Sequence, residues 1–319
     1  MRRMKYLITA VRRLTENEGT VNANVGISDE EFLQYFNDAQ DYLMFGLEFI
    51  NRKPYTREVK MDSVNAQEAY DLPARTYLGH NVVVVEYALT GNINDYVELR
   101  LTTVHERDTT NATPWRYIIR NKQILLNPTP NLSVTNGIRI QYVERLDRLD
   151  KRRAQVDAIT VSSGQVTALT VDITDYTNYF SGATAFSDTS ILVDDYFSIV
   201  GADGAVKARN IPITAINTST GVCTITSYTP EATTETGAIN DYLVAGTSAV
   251  TNTDILTEFE SFMIDFCSER IFRRDGNTQE ADGMMTKMAI WEEKMANAYR
   301  AMSDDVQFVT VLNPRFNIV

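Results

Sequence analysis

The sequence predicts an α+β fold: a helix bundle drawn from both chain ends, a small antiparallel sheet, and an inserted all-β barrel or sandwich. Three observations predict it. Apolar residues recur at helical spacing near both ends. They alternate at strand spacing between residues 55 and 145. After residue 154 the composition turns threonine-rich and acidic for about a hundred residues.

The helical frame is read first. Met4, Leu7, Ile8, Val11 and Leu14 share one face, with Arg2, Arg3, Lys5, Arg12 and Arg13 between them. That basic face either is solvated or meets an acidic partner subunit. Ser28 and Glu31 form a capping-box pattern before a second stripe of Phe32, Tyr35, Phe36, Ala39, Leu43, Gly46, Leu47 and Ile50. Pro54 lies just beyond as a stop signal. Near the other end, Ile255, Phe259, Phe262, Met263 and Phe266 share a face that closes on Arg270, Arg273 and Arg274. Gly276 suits the position after that helix, and Asn277 with Glu280 suggests the next cap. Met284, Met285, Met288, Trp291, Met295, Tyr299 and Met302 then mark a last helix. Their stripe is either core or an adaptable surface against a neighbouring subunit.

Between the helix pairs the pattern changes. "YTREVKM", "EAYDLP", "NVVVVEYAL" and "YVELRLTTV" read as strands. The β-branched "VVVV" run suggests a strand covered on both faces. Trp115, Tyr117 and Ile119 alternate with Arg116, Ile118 and Arg120. "RNKQ" turns the chain, "ILLNPTP" runs back, "SVTNG" turns again, and "IRIQYVER" closes the sheet.

These elements in this order resemble the head-to-tail adaptor (connector) proteins of tailed bacteriophages, especially short-tailed ones. The residues that carry the resemblance are Tyr70, Leu72 and Pro73; Pro114, Trp115 and Tyr117; Leu126, Pro128 and Pro130; and Tyr142, Glu144 and Arg145. They are structural residues, and no catalytic role comes with them. The resemblance covers about residues 1–150 and 253–319. The linker "RLDRLDKRRAQ" departs from simpler adaptors by introducing extra chain. Residues 155–252 hold 18 threonines and ten acidic residues against two basic ones, Lys207 and Arg209. So −8 of the chain's net −12 falls in this block. "AITVSS", "QVTALTVDI", "SILVDDYFSIVG", "NIPITAINT", "GVCTITSYT" and "NDYLVAG" are its strand candidates, with turns at "SG", "GADG" and "STG". The expected organisation is therefore a core from residues 1–153 and 253–305, a β domain at 154–252, and a tail at 306–319.

Composition bounds the chemistry. A chain of 319 residues that is 44% hydrophobic can bury a sizeable core. Net −12 argues against a protein that coats DNA by neutralising phosphates. Cys223 and Cys267 read as buried apolar residues rather than a disulfide framework. The opening "MRRMKYLITAVRRL" lacks a small-residue cleavage site, and no run reaches the ~18 apolar residues of a membrane span. Production in a cytoplasm is expected. His80 and His105 read as solvated loop residues without a cysteine cluster. Asp194 and Asp195 are adjacent and point apart, which suits no acid–base pair. "GADG" lacks the Gly-Lys-Ser/Thr of a phosphate loop. Asp172, Asp175 and Asp188 lack the spacing of an EF-hand. No enzyme, cofactor or metal is expected.

The resemblance implies a virion protein, assembled in the host cytoplasm, that forms a ring of twelve copies at the head–tail junction. It would dock under the portal protein, join the tail or nozzle proteins and possible fibres, and extend the DNA exit channel. An acidic channel would let DNA pass without specific contacts. Subunits would pack through Phe32, Phe36, Leu43, Phe259, Phe262, Met288, Trp291 and Met295. The apolar tail either folds back as an edge strand or docks on another subunit. On the portal reading its contacts are Phe308, Val309, Val311, Leu312, Pro314, Arg315, Phe316 and Ile318. The alternative is a tail-associated or fibre-type module that binds a receptor or another tail protein through its β domain. A cell-wall hydrolase working through acidic residues is the third reading.

Overall fold

The N-terminal helices form where the apolar stripes are. The computed structural model describes residues 4–15, 27–49, 55–89, 92, 94–103, 113–162, 165–174, 195–228, 239–252 and 260–302. Helix α1, Met4–Leu14, buries Met4, Leu7, Ile8 and Val11. Helix α2, Asp29–Phe49, begins at the expected cap: the Glu31 amide donates to Ser28 Oγ at 3.2 Å. Phe32, Phe36, Ala39 and Leu43 are buried along its inner face.

Strands follow in chain order. They are β1 (Thr56–Ser63), β2 (Ala69–Asp71), β3 (Val82–Ala88), β4 (Tyr96–Glu98) and β5 (Arg100–Leu101). Next come β6 (Arg116–Arg120), β7 (Gln123–Asn127), β8 (Val134–Val143) and β9 (Arg148–Leu149). The threonine-rich block gives β10 (Ala154–Ser162), β11 (Gln165–Val171), β12 (Asp195–Val200), β13 (Val206–Ile216), β14 (Val222–Tyr228) and β15 (Tyr242–Ala245). Strand β16 (Ala249–Val250) precedes the helices α3 (Glu260–Arg274) and α4 (Thr278–Met302). Gly276, at φ +78, separates these two, and the Asn277 amide returns to the Phe272 carbonyl at 2.8 Å. The next cap is the expected one, with the Glu280 amide on Asn277 Oδ1 at 3.4 Å.

The chain divides into two compact units. The unit centred on Leu47–Leu146 holds two four-stranded sheets, ordered β1-β8-β3-β4 and β2-β7-β6-β5. Tyr70, Tyr87, Tyr117, Ile124, Leu126, Ile138 and Ile140 belong to one buried cluster in this unit. "RNKQ" is a tight turn, with Asn121 and Lys122 both at positive φ (+53 and +61). Four details depart from the sequence reading. One expected sheet is two. "YVELRLTTV" is not one strand: it breaks at Leu99, whose amide bonds Val85, so β4 joins the first sheet and β5 the second. Strand β5 also runs parallel to β6. Finally, "TNG" is not a turn but an irregularity inside β8. Asn136 sits at φ +57, and the register slips opposite Met61 and Ser63. A Cβ on Gly137 would lie 2.5 Å from Ser63 Oγ, so glycine lets β1 close on the bulge.

The other unit holds the helices and a barrel. Six strands close in the order β10-β11-β14-β13-β12-β15, so the barrel alternative holds and the sandwich does not. Val156, Leu169, Phe197, Ile199, Ile211, Ile213 and Leu243 fill it, each 1% exposed or less. "GADG" is the predicted hairpin turn, with Gly204 N–H on the Gly201 carbonyl at 3.0 Å. Cys223 is buried in the same cluster, and burial pushes its thiol up to about 12. Cys267 is also buried, as expected.

Two glycines test these backbone arguments. Gly221 has φ +72, and a Cβ there would lie 2.1 Å from the Val171 carbonyl oxygen. Gly221→Ala should cost about 2 kcal/mol or more in chemical denaturation. Gly283, inside α4, has nothing within 4 Å of a built Cβ. Gly283→Ala should instead stabilise by up to about 1 kcal/mol.

Candidate assembly site: the helix frame and its joint to the barrel

Helix α3 supplies the centre of the frame. Phe262, Met263, Phe266, Cys267 and Ile271 are buried on it, and α1 packs against it. Tyr42 of α2 stacks on Phe262 with ring centroids 6.1 Å apart and tilts onto Phe266 at 5.7 Å. The Tyr42 hydroxyl donates to Glu292 Oε1 of α4 at 2.9 Å. The Trp291 indole N–H donates to Asp265 Oδ2 at 3.1 Å. Burial raises the pKa of both carboxyls above their ordinary values, against the opposing effect of these donors and, for Asp265, of Lys287.

The barrel is joined to this frame by the residues that read as a linker. Strand β9 pairs with β16 in parallel, so the chain enters and leaves the barrel side by side. On one side this strap is stitched to α2. Asn37 donates to the Leu149 carbonyl at 3.0 Å and accepts from the Leu149 amide at 2.8 Å, and Gln40 donates to the Asp147 carbonyl at 3.2 Å. On the other side Asp147 accepts from Arg209 of β13 at 3.1 Å and from the Ser248 hydroxyl.

At its centre lies Arg153, 6% exposed. Its Nε reaches Asp150 Oδ2 at 2.9 Å and its Nη2 reaches Oδ1 at 2.6 Å. The other edge of the guanidinium grips Glu30 of α2 through Nη1 at 2.6 Å and Nη2 at 2.8 Å. Asp150 also accepts the Ala245 amide of β15 at 2.6 Å. One buried cation thus ties the strap to α2 directly and to the barrel through Asp150. Burial opposes the Glu30 charge, but Arg153, backed by Lys151, prevails and holds its pKa below the ordinary value.

The residues expected to pack between subunits lie as follows. Phe32, Phe36, Leu43, Phe262 and Met295 are buried within this one chain. Met288 and Trp291 are half-buried. Phe259 and the tail residues Phe308, Val309, Val311, Leu312, Pro314, Arg315, Phe316 and Ile318 fall outside the described residues, as does His105. His80 is exposed, as expected. Among the described residues no group of His, Cys, Asp and Glu could hold a metal ion, and no described helix is long and apolar enough to cross a membrane. Sequence reasoning missed Glu30, Asp147, Asp150, Arg153 and Arg209. The signal was the alternation of acids and arginines in "RLDRLDKRR", which looks the same in a solvated linker.

Buried polar groups hold strap, helix and barrel together. Residues 4–154 match the protein family described as SU10 adaptor protein, which bears out the resemblance to phage adaptors carried by the residues. The matched segment spans α1, α2, both sheets and β9, and ends on the first residue of the barrel, Ala154. No curated protein matches the chain.

Arg153→Ala leaves Asp150 buried without its cation and should cost about 3–5 kcal/mol in urea denaturation. Arg148→Ala, five residues away, breaks only the half-exposed pair with Asp41 and should cost less than about 1 kcal/mol. The carboxyls also divide by pH. Glu30, with its pKa lowered in the fold, stabilises above the ordinary value of 4.5, and that contribution is lost as pH falls through the lowered value. Asp265, with its pKa raised, favours the fold when protonated. Asp265→Asn should therefore raise Tm more at about pH 8 than at about pH 4.

Proposed function

We propose that the protein is a virion structural protein, a phage head-to-tail adaptor and not an enzyme. It assembles in the host cytoplasm as a ring, of twelve copies on the adaptor reading, under the portal protein. The ring joins the tail to the capsid and continues the DNA exit channel. The observation that carries this reading is the family match over residues 4–154, which takes in the N-terminal helix pair and the sheets. In this reading residues 1–153 and 253–305 are the adaptor core and residues 154–252 are an inserted domain. The insert lies at the ring periphery, where it contacts nozzle proteins or fibres.

The bundle supports a ring wall for a physical reason. Helix α4 is covered along one side only. Met284 and Met295 are buried, while Met285 is 48% and Ile290 50% exposed on the rest of its surface. Subunit packing then falls to this outer face of α4 rather than to Phe32, Phe36, Leu43 and Phe262. The tail, residues 306–319, supplies the portal contact through its apolar residues.

Purified protein mixed with portal should give rings on portal in negative-stain images. A monomer that ignores portal and binds a cell-surface glycan instead would favour the fibre-type reading. Truncation after Asp305 should abolish portal docking and leave Tm unchanged. Docking that survives the truncation removes the tail from the mechanism.

A further inference from the structure

Helices α1 and α2 carry opposite charge. Helix α1 holds Lys5, Arg12 and Arg13 and no acidic residue, while α2 holds six acidic residues and no basic one. Part of that charge is used inside the chain. In the first turn of α2, Asp29 is engaged by Arg12 at 2.7 Å, Glu30 by Arg153 at 2.6 Å and Glu31 by Arg274 at 2.8 Å. Other charges lie on the outward sides of the two helices. On α1 the outward stripe is Tyr6, Thr9 and Arg13, with Lys5 beside it, all exposed. It stands opposite the buried Met4, Leu7, Ile8 and Val11. On α2 the stripe is Gln34, Asp38, Asp41 and Phe45, all exposed, opposite the buried Phe32, Phe36, Ala39 and Leu43.

Both stripes carry an aromatic ring that a solvated face does not need. Tyr6 is 70% and Phe45 54% exposed, the two most exposed aromatic side chains among the described residues. Lys5 and Asp38 join no ion pair among the described residues. Asp41 has a half-exposed pair with Arg148 at 3.1 Å. The spacings also correspond. Tyr6 and Arg13 are seven residues apart, as are Asp38 and Phe45. Each ring therefore stands about 10 Å along the helix from its charge. The order is reversed, ring then cation on α1 and carboxylate then ring on α2. Two such helices laid antiparallel bring Tyr6 to Phe45 and Arg13 to Asp38 at once.

We propose that the Tyr6–Arg13 face of α1 docks antiparallel on the Asp38–Phe45 face of α2 in a second copy of this chain. The proposal rests on the ring reading above and adds a contact separate from the outer face of α4. Charge complementarity and matched spacing select the occupant. The two faces do not meet within one chain. There α1 packs on α3, and Arg12 ties it to the start of α2, bonding Asp29 and lying 5.2 Å over the Phe32 ring. A contact between unlike surfaces leaves one of each on every copy, so it repeats from copy to copy, as a ring requires. Nucleic acid fits α1 less well. Arg12 is already held by Asp29, the chain carries net −12, and so few cations would release few counterions from a duplex.

The test uses the full chain, alone and with portal, read by sedimentation mass. Wild-type association should weaken as salt is raised from about 50 to about 500 mM. The α1 variant, Lys5→Glu with Arg13→Glu, should associate about ten-fold more weakly or worse. The α2 variant, Asp38→Lys with Asp41→Lys, should do the same. Tm should stay unchanged in both, because all four side chains are exposed. Tyr6→Ala and Phe45→Ala should each weaken association too. An equal mixture of the two charge variants should assemble, since every contact in it again joins opposite charges. If the α1 variant assembles like wild type, or the mixture fails to recover, the proposal is wrong and the ring reading stands. A mixture that fails to recover while the α1 variant loses affinity for a short DNA duplex assigns α1 to nucleic acid instead. If wild type forms no ring with or without portal, both readings fall.

Discussion

The guanidinium of Arg153 is the interaction on which the arrangement of helices and barrel depends. Removing such a group from water costs several kcal/mol, and the cost is offset only where every donor finds a well-placed acceptor. Here both edges of the planar fork are occupied, one by Asp150 and the other by Glu30. Lysine could not do this: its single ammonium cannot span two carboxylates in a plane. Burial also explains why Asp150 recruits a backbone amide, from Ala245, in addition to its arginine.

A polar joint behaves differently from an apolar one. The barrel keeps its own sealed core, with Phe197, Ile199, Ile211 and Leu243 inside it. The helices keep theirs, around Phe262 and Phe266. Two apolar faces pressed together can slide by a side chain at modest cost, because hydrophobic contact is non-directional. Hydrogen bonds from Asn37, Gln40 and Arg209 to named atoms of the strap, and from Arg153 to Glu30 of α2, allow one register only. Directional bonds on both sides of a two-stranded strap thus fix the barrel in orientation as well as in position.

Much of this fold was legible in the sequence, for physical reasons that differ by element. Apolar periodicity and the Ser28, Gly276 and Asn277 caps placed the helices, because those signals are local. Strand composition and turn residues placed all six barrel strands. Closure into a barrel was not legible, since it depends on the pairing of β10 with β15, far apart in sequence. The Asn136–Gly137 pair misled for a specific reason: positive φ serves a bulge as well as a turn. "YVELRLTTV" misled because alternation says nothing about which sheet a strand joins. The joint was least legible of all. Charged runs are usually solvated, and only the approach of Glu30 and Arg209 in three dimensions turns "RLDRLDKRR" into a buried clamp.

The parallel pairing of β9 with β16 bears on how the barrel relates to the rest of the chain. A domain whose two connections lie side by side can be added to a frame without separating the elements it interrupts. The family match stops at Ala154, where the first barrel strand starts, so the boundary in sequence and the boundary in structure coincide. A barrel attached this way could hang on a loose double tether, which would transmit no force. The strap is instead bonded to α2 at Asn37, Gln40 and Glu30. A load on the barrel therefore passes through the strap into the longest N-terminal helix.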